Sequence, residues 1–293
     1  MEILNVSRGD FPKSLAFAEG MKVLTPECDN FETAYHYDVK YSNNGKYDLF
    51  LQIIQPINMP DKTPVIIFIP GSAFHKQDVR ARVPQLGLLA ARGFCVALLE
   101  YTPSEVAPFP QLIRDAKEGI VFMKKNAEKF NIDTQSVFMM GDSSGGYTAL
   151  MAGLSDIEER KGEDYSVKGI IDFYAPTDFT TMNLEPSTQN HSEPNSPEGF
   201  LIGQKDVLSN PELAEKTIIK NYISKDKKYP PVLMFHGSND ELVPFGQSCE
   251  LFSALRENKA EAELYRIEGA HHGDRQFWSS TVLNMIERFI NTV

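Results

Sequence analysis

Four apolar residues, Val137-Phe138-Met139-Met140, run straight into Gly141-Asp142-Ser143-Ser144-Gly145-Gly146, and a helix-capable stretch, Tyr147-Thr148-Ala149-Leu150-Met151-Ala152, follows at once. The pattern is G-x-S-x-G set between a buried strand and a helix. A strand that turns this sharply into a helix carries one side chain at the tip of the turn, and the flanking glycines let neighbouring backbone pass close. The same letters occur in ordinary Ser/Gly-rich loops; the strand before and the helix after favour a reactive serine. Of the two serines, only Ser143 has glycine two residues away on both sides. Centring on Ser144 would place Asp142 where a Cβ crowds the turn. Ser144 is therefore read as the residue after the candidate nucleophile, with its N–H facing an oxyanion formed there.

The rest of the chain repeats the strand-then-helix rhythm. Strands are expected at Tyr47–Gln55, Val65–Ile69, Phe94–Leu99, Ser136–Met140, Gly169–Tyr174, Val232–Phe235 and Ala262–Ile267. Helices are expected at Val83–Arg92, Pro110–Phe130, Leu242–Asn258 and Phe277–Thr292, the second of these from the spacing of Leu112, Ile113, Ala116, Ile120, Val121 and Met123. Alternation of this kind predicts an α/β fold, a mostly parallel central sheet with helices on both faces. Active groups in such sheets gather at the carboxyl ends of strands. Asp178–Pro211 breaks the rhythm, being rich in Thr, Asn, Ser, Glu and Pro. It reads as a small cap insertion over the cleft, residues 178–211, within a main domain spanning 45–293; residues 1–44 read as an N-terminal extension.

Composition narrows the function. The 293 residues are 42% hydrophobic and 24% charged, enough for one large domain or two small ones, and the net charge is −11. An acidic chain argues against nucleic acid and against anionic membranes as partners. Cys28, Cys95 and Cys249 are too few and too scattered for a disulfide framework, and Cys95 sits in an apolar run. Met1-Glu2-Ile3-Leu4-Asn5 has neither the basic region nor the apolar core of a signal peptide, and no apolar run approaches the ~18 residues of a membrane span. A cytoplasmic protein of unspecified oligomeric state is expected.

A serine hydroxyl at neutral pH needs a base within hydrogen-bond reach, and the base needs a carboxylate to fix its tautomer. Downstream of Ser143, Val232-Leu233-Met234-Phe235 ends in His236-Gly237-Ser238-Asn239-Asp240, and Ala262–Ile267 ends in Glu268-Gly269-Ala270-His271-His272-Gly273. Asp240 is preferred as the acid from its loop position and the chain order Ser, Asp, His. Its rivals are Asp172 inside a strand, Asp178 in a turn, and the adjacent Glu241. His236 reads as a structural residue bonded to backbone. Adjacent histidines point apart and no other His/Cys cluster supports them, so a metal reading of His271, His272 and Asp274 is set aside. The second oxyanion arm is expected in Pro70-Gly71-Ser72-Ala73-Phe74, where the amides of Ser72 and Ala73 would join that of Ser144; a plain βα turn is the alternative. Phe74, His75, Tyr174 and Trp278 are candidate cleft walls.

With these motifs together, residues 45–290 resemble the α/β-hydrolase family, near the bacterial esterases of the hormone-sensitive-lipase and acetyl- or feruloyl-esterase groups. Gly141–Gly146 is similar to that family's G-D-S-A-G-G. Asp172-Phe173-Tyr174-Ala175-Pro176-Thr177-Asp178 resembles its strand-six signature, His236–Pro244 its acid loop, and Gly269–Gly273 with Phe277-Trp278 its histidine loop. The resemblance puts the base at His272, directly before Gly273. It departs at the oxyanion loop, where Pro70, Ser72 and Ala73 stand in place of a His-Gly-Gly-Gly run. The implied activity is a cofactor-independent serine carboxylesterase acting on short-chain or carbohydrate-linked esters of acetyl or feruloyl type, through an acyl-enzyme. A prolyl-oligopeptidase-like serine peptidase and a catalytically inactive hydrolase fold used for binding are the alternatives.

Overall fold

The computed structural model describes residues 4–27, 31–45 and 48–293. Cys28, the first three residues and Tyr47, with which the first expected strand began, lie outside the described residues. In chain order the elements are β1 Thr33–Asn43, β2 Asp48–Pro56, β3 Thr63–Ile69, α1 Val83–Ala90, β4 Cys95–Leu99, α2 Gln111–Lys125, α3 Ala127–Phe130, β5 Ile132–Asp142, α4 Ser144–Leu154, β6 Gly169–Phe173, α5 Pro197–Leu201, α6 Pro211–Ala214, β7 Val232–Gly237, α7 Gly246–Glu257, β8 Ala262–Ile267 and α8 Ser280–Thr292. The eight strands form one sheet in the order β1-β2-β4-β3-β5-β6-β7-β8. β1, β2 and β4 pair antiparallel, and every neighbouring pair from β4 to β8 is parallel. The expected α/β fold is the one observed.

Alternation along the strands feeds two cores. Val65, Ile67 and Ile69 of β3, with Val137 and Met139 of β5, face α2, α4 and α7. Ile66 and Phe68, with Phe138 and Met140, face α1 and α8. Both faces are covered by helices, so the central strands carry apolar residues on both sides, which is why their middles read as near-continuous runs. No helix among the described residues is long and apolar enough to cross a membrane.

Several boundaries differ from the sequence reading, β5 beginning at Ile132 and α8 only at Ser280, and three of the differences have a visible cause. β1 lies inside the segment read as an N-terminal extension; it pairs with β2 in a register broken between His36 and Val39 and between Lys40 and Ser42. It is an edge strand with mostly exposed polar residues, so it carries no apolar signal. The long helix expected to Phe130 stops at Lys125, where Asn126 leaves helical geometry (φ −104°, ψ 22°) and its side chain donates to the Phe122 carbonyl (2.9 Å), before the single turn of α3. The helix expected from Leu242 starts only at Gly246, because the Asp240 carboxylate takes the N–H groups of Leu242 (3.0 Å) and Val243 (2.9 Å) into a turn.

Phe138, wholly buried at the centre of the sheet and edge-on to Phe289, is the test of this packing. Phe138→Ala is expected to lower the unfolding free energy by about 3–5 kcal/mol in urea denaturation, whereas Leu184→Ala, on an exposed side chain, changes it by less than about 0.5 kcal/mol. Equal losses would contradict the two-core arrangement.

Candidate active site

The carboxyl ends of β5, β7 and β8 lie on one edge of the parallel sheet, and each is followed by a loop bearing one of the candidate residues Ser143, Asp240 and His272. Ser143 follows β5 at φ 54° and ψ −126°, a conformation that L-residues avoid. Its N–H is held by the Phe173 carbonyl (2.8 Å). The turn closes only because glycine flanks it: a Cβ on Gly141 would lie 2.3 Å from the Gly145 carbonyl oxygen, and one on Gly145 would lie 2.0 Å from that of Ile69. Asp142 fixes the turn from below. It accepts the Gly71 N–H (2.6 Å), the Arg82 guanidinium (3.0 Å) and the Tyr174 hydroxyl (3.3 Å).

His272 spans the other two loops. Its Nε2 lies 3.0 Å from Ser143 Oγ and its Nδ1 lies 2.8 Å from Asp240 Oδ2. A carboxylate only accepts, so Nδ1 carries the hydrogen and Nε2 presents its lone pair to the serine hydroxyl. His271 turns outward, against Glu241 (3.0 Å). Asp240 is buried and has four donors around it: the Leu242 and Val243 amides, His272, and His236 at 3.3 Å. Burial is the largest influence on its carboxyl and pushes the pKa up. The hydrogen bonds and charges of His236 and His272 more than offset this, and the group is held well below the usual carboxylate range. Burial instead drives the Asp172 carboxyl well above that range. Asp178 is committed to Lys220 (2.8 Å).

The oxyanion loop needs one correction. The Ser72 amide donates to Ser144 Oγ (2.9 Å) and is therefore occupied. The amides of Ala73 and Ser144 meet no acceptor among the described residues. Ala73 and Phe74 both take positive φ, 53° and 63°, which turns the loop over Ser143. The Ser72 hydroxyl, bonded to the His75 carbonyl (2.7 Å) and close to Tyr101 Oη (3.0 Å), pins that geometry.

The four candidate walls separate. Phe74 lines the small cavity above Ser143 and packs on Tyr147 and Phe179. Tyr174 supports the site from beneath, its ring 4.6 Å from that of His272. His75 lies outside the cavity, paired with Glu105 and edge-on to Phe200. Trp278 is a core residue between Phe68 and Phe173, with Arg82 over its ring, because the turn before α8 directs it inward. The cavity, about 50 Å³, is also lined by Gln189, His191, Pro197 and Glu198 from the insertion. Sequence reasoning named none of these four, since a non-periodic segment gives no signal for which residues point inward. A wider groove of about 770 Å³ beside β1 and β2 contains none of the residues above.

The sheet order, the strained serine and the three loops at one edge define an α/β-hydrolase. The family model described as BD-FAE matches residues 51–255, and the chain belongs to that family. Among curated relatives, Esterase LipC of Mycobacterium tuberculosis is 27% identical over 225 residues, 74% of this chain and 54% of LipC. The chain spans about half the length of the curated relatives it matches. A truncated carbohydrate esterase from gut microbiota superposes with a TM-score of 0.79 at 26% identity, covering 91% of this chain and 98% of that one. An esterase of Thermogutta terrifontis, solved with propionate bound, has a TM-score of 0.70 at 21% identity over 91% of this chain and 95% of its own, a likeness of fold.

The depressed Asp240 pKa has a stability consequence. The native state binds fewer protons there than the unfolded chain, so the stabilisation is present above the ordinary carboxylate pKa of about 4 and is lost as pH falls through the lower folded value. The stability gap between wild type and Asp240→Asn in urea denaturation should therefore narrow from neutral pH to about pH 3. A gap that is constant or widens on acidification would contradict the assignment.

Proposed function

We propose that this protein is a serine carboxylic ester hydrolase. The observation that carries the reading is the continuous relay from Ser143 Oγ to His272 Nε2 (3.0 Å) and from His272 Nδ1 to Asp240 (2.8 Å), beside two unoccupied amides. Ser143 Oγ attacks the ester carbonyl carbon as its proton passes to His272 Nε2. The Ala73 and Ser144 amides stabilise the tetrahedral oxyanion, each contributing about 3–4 kcal/mol to lowering the barrier. His272 gives the proton to the departing alcohol oxygen as the C–O bond breaks. Water then repeats the sequence on the acyl-enzyme and frees the acid. Asp240 holds the imidazole in the required tautomer and stabilises its charged form. The esterase names of the relatives support the same reaction class.

The substrate proposed is a small-molecule or carbohydrate ester with a short acyl group. A single water needs roughly 10–15 Å³ of such space, so a cavity of about 50 Å³ suits acetyl or propionyl and is small for a feruloyl group. The segment 178–211 is proposed to act as the cap, since its Gln189, His191, Pro197 and Glu198 line the same cavity as Ser143.

Ser143→Ala is expected to fold normally by circular dichroism while kcat for 4-nitrophenyl acetate falls by about 10⁴-fold or more; undiminished turnover would end the proposal. Across a series of nitrophenyl esters, kcat/KM should fall from acetate or propionate to octanoate. A maximum at octanoate would contradict the small acyl site.

A further inference from the structure

Tyr101, just past the end of β4, is wholly buried, and its hydroxyl reaches both serines that frame the candidate oxyanion site. Its Oη lies 3.0 Å from Ser72 Oγ and 3.3 Å from Ser144 Oγ. The Ser72 amide returns to Ser144 Oγ (2.9 Å), which closes a ring through Ser72, Tyr101 and Ser144. Ser72 and Ser144 stand where the resembled family pattern has Gly and Ala, residues without a hydroxyl, so the ring belongs to this chain rather than to that pattern. The backbone of Tyr101 is fixed as well. Its N–H donates to Gln77 Oε1 (2.8 Å), and the Gln77 side-chain nitrogen donates to the His75 carbonyl.

The hydrogens each group holds set one direction around the ring. The His75 carbonyl can only accept, so the single hydrogen of the Ser72 hydroxyl goes to it (2.7 Å). Tyr101 Oη is then the donor to Ser72 Oγ and, having one hydrogen, accepts from Ser144 Oγ. Ser144 Oγ in turn accepts the Ser72 N–H. The candidate donor, the Ala73 N–H, belongs to the peptide joining Ser72 to Ala73, and a planar trans peptide points its C=O and N–H in opposite directions. The His75 N–H donates to that Ser72 carbonyl (3.0 Å). Ser72 and His75 are thus bonded twice, and the direction of the Ala73 N–H follows from where the ring holds Ser72.

We propose that Tyr101 is a positioning residue for the oxyanion site: its hydroxyl closes the ring that holds the Ala73 N–H beside that of Ser144. This rests on the reading of Ser143 as an ester-cleaving nucleophile. Tyr101 acts through Ser72 and Ser144 and changes no covalent bond. Without its oxygen the Ser144 hydroxyl loses its acceptor and Ser72 Oγ loses a donor, so the loop after β3 is no longer tied to α4 in one arrangement.

The test is the kinetics of Tyr101→Phe, Ser72→Ala and the double variant on 4-nitrophenyl acetate, with 1,1,1-trifluoro-2-butanone as an inhibitor whose adduct on Ser143 places an oxyanion in the site. Tyr101→Phe should lower kcat by about tenfold with KM changed by less than about twofold, since the loss falls on an interaction made in the transition state. The trifluoromethyl ketone should bind more weakly by about the same factor as kcat falls. Ser72→Ala cuts the same ring while keeping the amide, covers the case in which Tyr101→Phe does not fold, and should lower kcat to a similar degree. Because both changes break one network, the double variant should lose no more than about twofold beyond the larger single loss. A kcat within about twofold of wild type, a loss carried by KM alone, an unmoved inhibitor affinity, or losses that multiply in the double variant would overturn the inference while leaving ester hydrolysis standing. Wild type inert toward 4-nitrophenyl acetate would overturn the hydrolase reading and this inference with it.

Discussion

Backbone strain at Ser143 organises the rest of the site. A residue at φ 54° and ψ −126° persists only where its surroundings over-determine it. Here β5 ends between β3 and β6, so the turn has sheet on either side, and α4 begins at the next residue. The Phe173 carbonyl takes the Ser143 amide, the flanking glycines allow contacts that no side chain would permit, and Asp142 draws Gly71, Arg82 and Tyr174 to the underside. The bond from the Ser72 amide to Ser144 Oγ then ties the loop after β3 to the start of α4, two segments distant in sequence. Packing of the sheet is thereby converted into placement of a hydroxyl and two amides.

The relay adds an electrostatic constraint. Asp240 is buried, and burial alone would raise its pKa. Four donors keep it ionised, and two of these, the Leu242 and Val243 amides, come from its own loop. The same two bonds delay α7 until Gly246. His236, held by Ser248 Oγ (2.7 Å) and the Val243 carbonyl (2.9 Å), sits against the far side of the carboxylate. The imidazole of His272 is in turn supported by the Tyr174 ring, itself anchored through Asp142 to the serine turn. Local structure in the acid loop and chemistry at the serine are therefore consequences of one set of hydrogen bonds.

Features that depend on neighbours in sequence were legible before any coordinates. Apolar runs mark the buried strands from β3 to β7, the glycine spacing singles out Ser143, and strand-end positions bring forward Asp240 and the His271-His272 pair, of which the family resemblance selects His272. Features decided by distant partners were not. The half-exposed β1 has no apolar period. Ser72 is a small residue in the loop expected to carry oxyanion donors, yet its amide is taken up by a hydroxyl from α4. Trp278 follows the histidine loop closely enough to suggest a cleft wall, but the direction of its short turn buries it against Phe68 and Phe173. His191 and Glu198 belong to a segment whose path is set by Ser196, Ser187 and Leu242 rather than by periodicity.

The most direct test of the central claim, that the strained turn and its imidazole make one hydroxyl uniquely reactive, is peptide mass spectrometry after treatment with diisopropyl fluorophosphate. The account predicts a single diisopropylphosphoryl group on Ser143, with Ser144 unmodified. A protein that stays unlabelled, or that carries the adduct on Ser144 or elsewhere, would contradict it.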